Sequence, residues 1–399
     1  MRSARLVDAE LLDSVRTQVL AQPGEVTPAR IAAAVHQSGR VLGTAGALAA
    51  VELITAELNG LGPLQSLAKD PDVTDIFVNG PGEVWLDRGH GLEGSGVEFA
   101  SEEAVRSLAV RLVAAGGRRL DDSNPCVDVR LTGGYRVHAV LPPVSARGTL
   151  LSVRIRRERV FELGEFEHLG MVLPEQREVL EALVDRRVSY LVSGATGSGK
   201  TTLLSTLLGL SRPSERIVLV EDAAELNPAH GHVVGLEARH SNVEGSGAVD
   251  LADLVRQALR MRPDRLVVGE CRGAEVRELL AALNTGHSGA GTIHANSAES
   301  VSARLAALGA LAGLSPEATA LQAASALGAV IHLDRAGGER RLRTIAAVSE
   351  RGGTLRIEPA LTRCLRTDRL EQGPGWLSLG RQLWGVGTDA MGSPARDAA

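Results

Sequence analysis

The chain has 399 residues, a length that suits two or three domains with real cores. Hydrophobic residues make up 44% and charged residues 23%, ordinary globular usage, and a formal net charge of −5 lacks the basic excess of a dedicated nucleic-acid binder. The longest Leu/Ala-rich stretch, Leu305–Leu314, is far short of the roughly 20 residues of a membrane span, and Met1–Leu20 has no apolar run of the secretory type. The cysteines Cys126, Cys271 and Cys364 are too scattered for a disulfide framework or a Cys-type zinc site, so a soluble cytoplasmic protein is expected.

Residues 1–60 read as helices: Asp8–Leu20, Thr27–Val35 and an Ala/Leu/Glu run ending at Asn59-Gly60. Residues 61–158 carry short alternating segments, Asp75–Val78, Glu83–Leu86, Val127–Arg130, Tyr135–Val140 and Leu150–Ile155, with one helix between Ser101 and Ala115. That is an α+β domain, with Gly133-Gly134 as a hairpin turn. Over residues 159–350 apolar strands (Val188–Ser193, Ile217–Val220, Leu266–Val268, Gly291–His294) alternate with helices at Lys200–Leu210, Glu299–Leu311 and Ser315–Ala326. This α/β pattern predicts a doubly wound, mostly parallel sheet. Val330–Leu333 and Leu342–Val348, joined through Gly337-Gly338, read as a terminal hairpin. Residues 351–399 read as a Gly/Pro-rich, loosely ordered tail containing Trp376 and Trp384.

Gly194-Ala195-Thr196-Gly197-Ser198-Gly199-Lys200-Thr201, followed by Thr202, fits G-x-x-x-x-G-K-[ST] and sits between a strand and a helix, the context this motif needs. The glycines let backbone N–H groups turn around phosphate oxygens, and the helix N-terminus points at the same anion. Lys200 reaches the β- and γ-phosphates and the Thr201 hydroxyl ligates Mg²⁺. Composition supports this: of 43 basic residues 41 are Arg, and only Lys69 and Lys200 are Lys. A site that needs a compact cation resists replacement by the planar guanidinium. A nucleotide with Mg²⁺ is therefore the expected ligand.

Two acidic segments follow apolar strands, where a carboxylate emerges beside the P-loop. Glu221 and Glu225 are candidates to hold the magnesium water shell, and Glu270 to deprotonate the attacking water. Strand-end acids also serve simply as helix caps. His287 and His294 lie within one glycine-rich segment whose spacing does not suit a metal pair, so a γ-phosphate contact or proton relay is the reading for both.

These segments, in order, resemble a family. The P-loop, Glu221–Leu226, Arg262–Arg265 with Gly269–Gly273, and Thr285–His287 with His294–Asn296 are similar to the Walker A, Asp box, atypical Walker B and His box of the type II/IV secretion ATPases. Leu236–Arg239, Asn242–Gly245, Leu259–Asp264, Val73–Gly80 and Gly134–Pro143 look closest to its tight-adherence (Flp pilus) branch, TadA/CpaF. The resemblance implies a RecA-like P-loop ATPase domain behind a smaller α+β domain, a hexameric ring, docking on polytopic membrane proteins at the cytoplasmic face, and a role in pilus assembly or secretion. No specific nucleic-acid partner is expected. It also implies that Arg136 and Arg154 act as the family's arginines that reach the nucleotide from the first domain, with Arg156 a weaker candidate on the same strand face and Arg157 opposite. Two other readings stand beside the pilus motor: a conjugation-like DNA or protein transfer ATPase, and a nucleotide-gated scaffold without turnover.

Overall fold

The computed structural model describes residues 9–21, 26–40, 42–89, 91–131, 133–155, 160–239, 247–336 and 339–385. They divide into two compact units, Met1–Arg157 and Glu158–Ala399. The first begins with α1 (Ala9–Leu20), α2 (Pro28–Gln37) and α3 (Gly43–Asn59), which bury Leu11, Val15, Ile31, Val35, Ala50 and Ile54 against one another. Pro28 in the first turn and Thr27 accepting from the Arg30 N–H fix the start of α2. A short α4 (Gln65–Lys69) leads into β1 (Asp75–Val78), β2 (Val84–Asp87) and β3 (Leu92–Gly94). After α5 (Glu102–Ala115) come β4 (Cys126–Leu131), β5 (Tyr135–Val140) and β6 (Leu150–Ile155).

These strands form an antiparallel sheet of order β3-β2-β1-β6-β5-β4. Ile76, Val129, Val137 and Val153 share a core with Val105, Leu108 and Leu112 of α5. Alternation sends the intervening residues to the other face. There Asp87, Asp75, Arg154, Arg136 and Arg130 stand in one cross-strand row. Gly133 and Gly134, both at positive φ, turn β4 into β5 as expected.

The second unit opens with α6 (Leu163–His168), α7 (Pro174–Asp185), β7 (Tyr190–Gly194) and α8 (Lys200–Gly209). It continues through β8 (Ile217–Glu221), β9 (Val233–Glu237), α9 (Leu251–Ala258), β10 (Arg265–Cys271), α10 (Glu275–Leu283) and β11 (Ser288–His294). The last elements are α11 (Ser300–Leu311), α12 (Pro316–Ala326), β12 (Ala329–Ala336), β13 (Glu339–Arg351), β14 (Thr354–Arg363), β15 (Leu370–Gln372) and α13 (Trp376–Trp384). The sheet order is β15-β14-β13-β12-β7-β11-β10-β8-β9, parallel from β9 to β12 and antiparallel from β12 to β15. Leu180, Leu203 and Leu379 lie in the core on one face, and Val255, Leu280, Leu305 and Ala323 in the core on the other. This is the RecA-like doubly wound arrangement.

The tail differs from expectation. Residues 351–385 continue the sheet and close it with a helix, because their Gly and Pro residues fall at turns and irregularities rather than through the segment. Gly352 and Gly353 make the β13–β14 turn at positive φ, and Pro359 sits where the β13–β14 register shifts. Trp376, Leu379 and Leu383, spaced i, i+3 and i+7, are buried along one stripe of α13. Edge strand β9, with Val233, Val234 and Leu236 half-buried and Gly235 and Glu237 exposed, escaped the sequence reading because its apolar residues do not alternate. Gly337-Gly338 and residues 386–399 lie outside the described residues, and no described helix is long and apolar enough to cross a membrane.

If α13 is structural, Leu379→Ala, at a fully buried position, should cost about 2–5 kcal/mol, the usual range for Leu→Ala in a core. Urea denaturation measures this. A midpoint unchanged from the parent protein would return residues 370–385 to a dispensable tail.

Candidate active site

Strand β7 is buried throughout and ends at Gly194, where the chain must pass close to its neighbour. A Cβ there would lie 2.5 Å from the Leu333 carbonyl oxygen and 2.6 Å from Ser198 Oγ, so only glycine fits. Gly199 takes the left-handed conformation and turns the loop into α8. Ser198 is fully buried, and its Oγ has no hydrogen-bond partner among the described residues. Lys200 is buried as well; its Nζ donates to the carbonyls of Gly194 at 3.1 Å and Ala195 at 2.8 Å. Burial lowers its pKa, while Glu270 and Glu225 counter that effect. Thr201 and Thr202 follow, half-buried, in the first turn of α8.

This cradle fits a polyphosphate. It offers a helix N-terminus, a buried ammonium and an orphan hydroxyl in a loop whose glycines keep side chains out of the way. Among the described residues no cluster of three or more His, Cys, Asp or Glu would hold a metal unaided. Thr201, in the first turn of α8, stands where a P-loop hydroxyl would hold magnesium beside the phosphates.

Glu270 owes its place to a bulge. Val268 pairs with Gly291 and Cys271 with Ile293, so β10 spends one more residue than β11 between those pairs, at Gly269-Glu270. Thr292 Oγ1 donates to the Gly269 carbonyl at 2.6 Å and pins the irregularity. A Cβ on Gly269 would come within 2.7 Å of Glu221 Cγ, so the packing of Glu221 against this strand favours glycine there.

The side chain of Glu270 then meets His294, Oε1 to Nε2 at 2.8 Å, and His294 Nδ1 lies 3.4 Å from Lys200 Nζ. An ammonium has only donors, so Nδ1 is the acceptor in this pair and the ring proton sits on Nε2, facing the carboxylate. Lys200, His294 and Glu270 thus form one polar chain, from the phosphate cradle to the expected base.

Other expected residues fall elsewhere. Glu221 is buried, and its Oε1 accepts from the N–H groups of Glu225 at 2.7 Å and Leu226 at 2.9 Å, so this oxygen shapes the loop after β8. Glu225 faces solvent. His287 does not join His294: it precedes β11 while His294 ends it, and seven residues of extended chain separate them by about 20 Å. His287 instead contacts Thr285 Oγ1 at 3.2 Å and lines a separate cavity of about 590 Å³ with Arg186, Arg187 and Gln382. Arg136 and Arg154 belong to the first unit, directly opposite each other in β5 and β6. Arg136 pairs with Asp128 at 3.0 Å and Arg154 with Asp75 at 3.3 Å. Arg156 and Arg157, like the Asn242–Gly245 segment, lie outside the described residues. The sequence reading missed Arg340, whose Nε donates to the Gly197 carbonyl at 3.0 Å from 143 residues away.

Residues 57–361 match the type II/IV secretion system protein family. The chain belongs to that family. It is 51% identical over 322 residues to a putative conjugal transfer protein of Mycobacterium tuberculosis, covering 78% of this chain and 91% of that protein. It is 33% identical over 284 residues to the conjugal transfer protein TrbB of Rhizobium radiobacter, covering 69% and 84%. Its fold is similar to the pilus retraction motor PilT with bound ADP (TM-score 0.51, 22% identity, 76% of this chain and 82% of that one). The Legionella pneumophila ATPase DotB gives the same TM-score of 0.51 at 21% identity, over 70% of this chain and 77% of that one. The family read from the four ordered segments is the right one.

Lys200→Ala should remove most nucleotide binding, and Lys200→Arg should not restore it, because a planar fork does not fit where Nζ reaches two loop carbonyls. Calorimetric titration with MgATP tests both. Parent-like affinity in the arginine variant contradicts the argument from lysine scarcity.

Proposed function

We propose that this secretion-family chain is a motor ATPase that hydrolyses MgATP to drive assembly of a Flp-type pilus or a related secretion machine. It works as a hexameric ring docked on polytopic membrane proteins at the cytoplasmic face. The observation that carries the reading is the Lys200–His294–Glu270 chain at the P-loop. Bound MgATP supplies the phosphoryl group that is transferred to water. Lys200 would hold phosphate oxygens, and the Thr201 hydroxyl would hold the magnesium, which would neutralise charge on the phosphates. Glu270 uses Oε1 to accept a hydrogen bond from the His294 Nε2–H, which leaves Oε2 to take the proton of the attacking water. Glu225 is the magnesium-shell acid best supported by exposure, whereas Glu221 holds the loop.

The segments Val73–Gly80, Leu236–Arg239 and Leu259–Asp264 support the tight-adherence branch. The conjugal-transfer names of two relatives support a second reading, a conjugation-like transfer ATPase. Turnover that rises on adding DNA would favour the second; indifference to DNA would favour the first, in keeping with the net charge of −5.

Glu270→Gln should retain MgATP binding yet lose about two or more orders of magnitude in phosphate release, the scale of a missing general base. Parent-like turnover would move the base elsewhere, first to Glu225.

Arg136 and Arg154 are proposed to stabilise charge on the transferred phosphate from the first unit. Arg136→Ala and Arg154→Ala should each depress turnover far more than nucleotide affinity, read by phosphate release beside equilibrium binding. Equal losses in both quantities would contradict the assignment.

A further inference from the structure

Strands β12 and β13 run past the end of β7. Leu333 pairs with Gly194, and three further residues of β12 continue alongside the P-loop. In this overhang Arg335 and Arg340 stand directly opposite each other. Both point to the loop: a Cβ on Gly197 would lie 3.6 Å from Arg335 Nη1, and one on Gly199 would lie 3.5 Å from Arg340 Cδ. Arg340 Nε also donates to the Gly197 carbonyl at 3.0 Å. Like charges set opposite each other across a strand pair oppose folding. Partial burial, and after it the neighbouring Arg335, lower the Arg340 pKa. The adjacent Arg341 behaves differently. It alternates to the other side of the strand and pairs with Glu339 at 2.5 Å and Asp368 at 3.3 Å.

Two guanidiniums held side by side at the rim of a phosphate cradle suit an anion that carries more than one charge. We infer that Arg335 and Arg340 are a second, hairpin-borne cation pair that grips the phosphate chain of the nucleotide from outside the P-loop. The inference rests on the P-loop reading and adds to Lys200 two positioning residues from a different part of the chain. Guanidiniums bind phosphate oxygens through charge-assisted, often paired N–H···O contacts, so the pair recognises phosphate number rather than the base. It also ties the end of the β12–β13 hairpin to nucleotide occupancy.

The test is equilibrium binding to the full chain of MgATP and, separately, inorganic tripolyphosphate, each at low and high salt. Arg335→Gln and Arg340→Gln should each weaken both ligands about tenfold at low salt, the scale of one lost charged hydrogen bond. The loss should shrink at high salt. Arg340→Lys should keep part of the affinity, and Arg341→Gln should change nothing; thermal melts establish that each variant is folded. Parent-like affinity in both Gln variants overturns the inference. So does a loss confined to MgATP, which would mean contact with base or ribose, and so does a loss insensitive to salt, which would mean mere shaping of the loop at Gly197. A parent protein that binds neither ligand, or a Lys200→Ala variant that binds both as well as the parent, would overturn the P-loop reading itself and this inference with it. Arginine variants that bind like the parent beside a non-binding Lys200→Ala variant sink this inference alone.

Discussion

Gly194 ends β7 with His294 in register on one side and Leu333 on the other, and the site depends on that register. Because the strands are parallel, their carboxyl ends rise together, and the residues just beyond them converge on the loop leading into α8. The Leu333 carbonyl crowds Gly194 so closely that no side chain fits, which fixes where the loop departs. His294 is thereby held within reach of both Lys200 and Glu270, and Arg335 and Arg340 are carried past the loop rim. A slip of one residue in β11 would turn His294 to the opposite face of the sheet and break the chain to the base.

The bulge in β10 is the complement of that register. A regular strand pairing would send Gly269 and Glu270 to the faces set by alternation, whereas the extra residue re-aims the carboxylate toward His294. Glu221 on the neighbouring strand fills the space that a side chain at position 269 would need. The two glutamates therefore differ in their contacts, Glu221 holding backbone and Glu270 meeting His294. In the first unit the ion pairs of Arg136 and Arg154 are exposed, with side-chain accessibilities of 40% and 55%, and such pairs contribute only about 0–1 kcal/mol. Fold stability gives little reason for the row of charges that Asp75, Arg154, Arg136 and Arg130 make across that sheet.

What the sequence disclosed follows from the range of each interaction. The P-loop is eight consecutive residues whose chemistry is local, so it was legible, as were the three leading helices and the β4–β5 turn. Glu270 was legible as a strand-end acid, but its pairing with His294 depends on a bulge that no periodicity announces. His287 and His294, close in sequence, stand apart because nearness along the chain means distance along an extended strand. The tail was misread because composition does not say whether Gly and Pro interrupt a segment or punctuate it, and here they punctuate β14 and α13. Arg340 was invisible, since its contact with Gly197 exists only once β12 has paired with β7 and β13 with β12.

The central claim is that His294 works through Glu270, as one unit between lysine and base. A double-mutant cycle on phosphate release by His294→Ala and Glu270→Gln tests it most directly, with MgATP affinity measured alongside. Residues that act as a unit are far from additive, so the double variant should be about as slow as Glu270→Gln alone. If the two losses multiply, His294 and Glu270 act independently, and the polar chain from Lys200 to the base is not the catalytic arrangement.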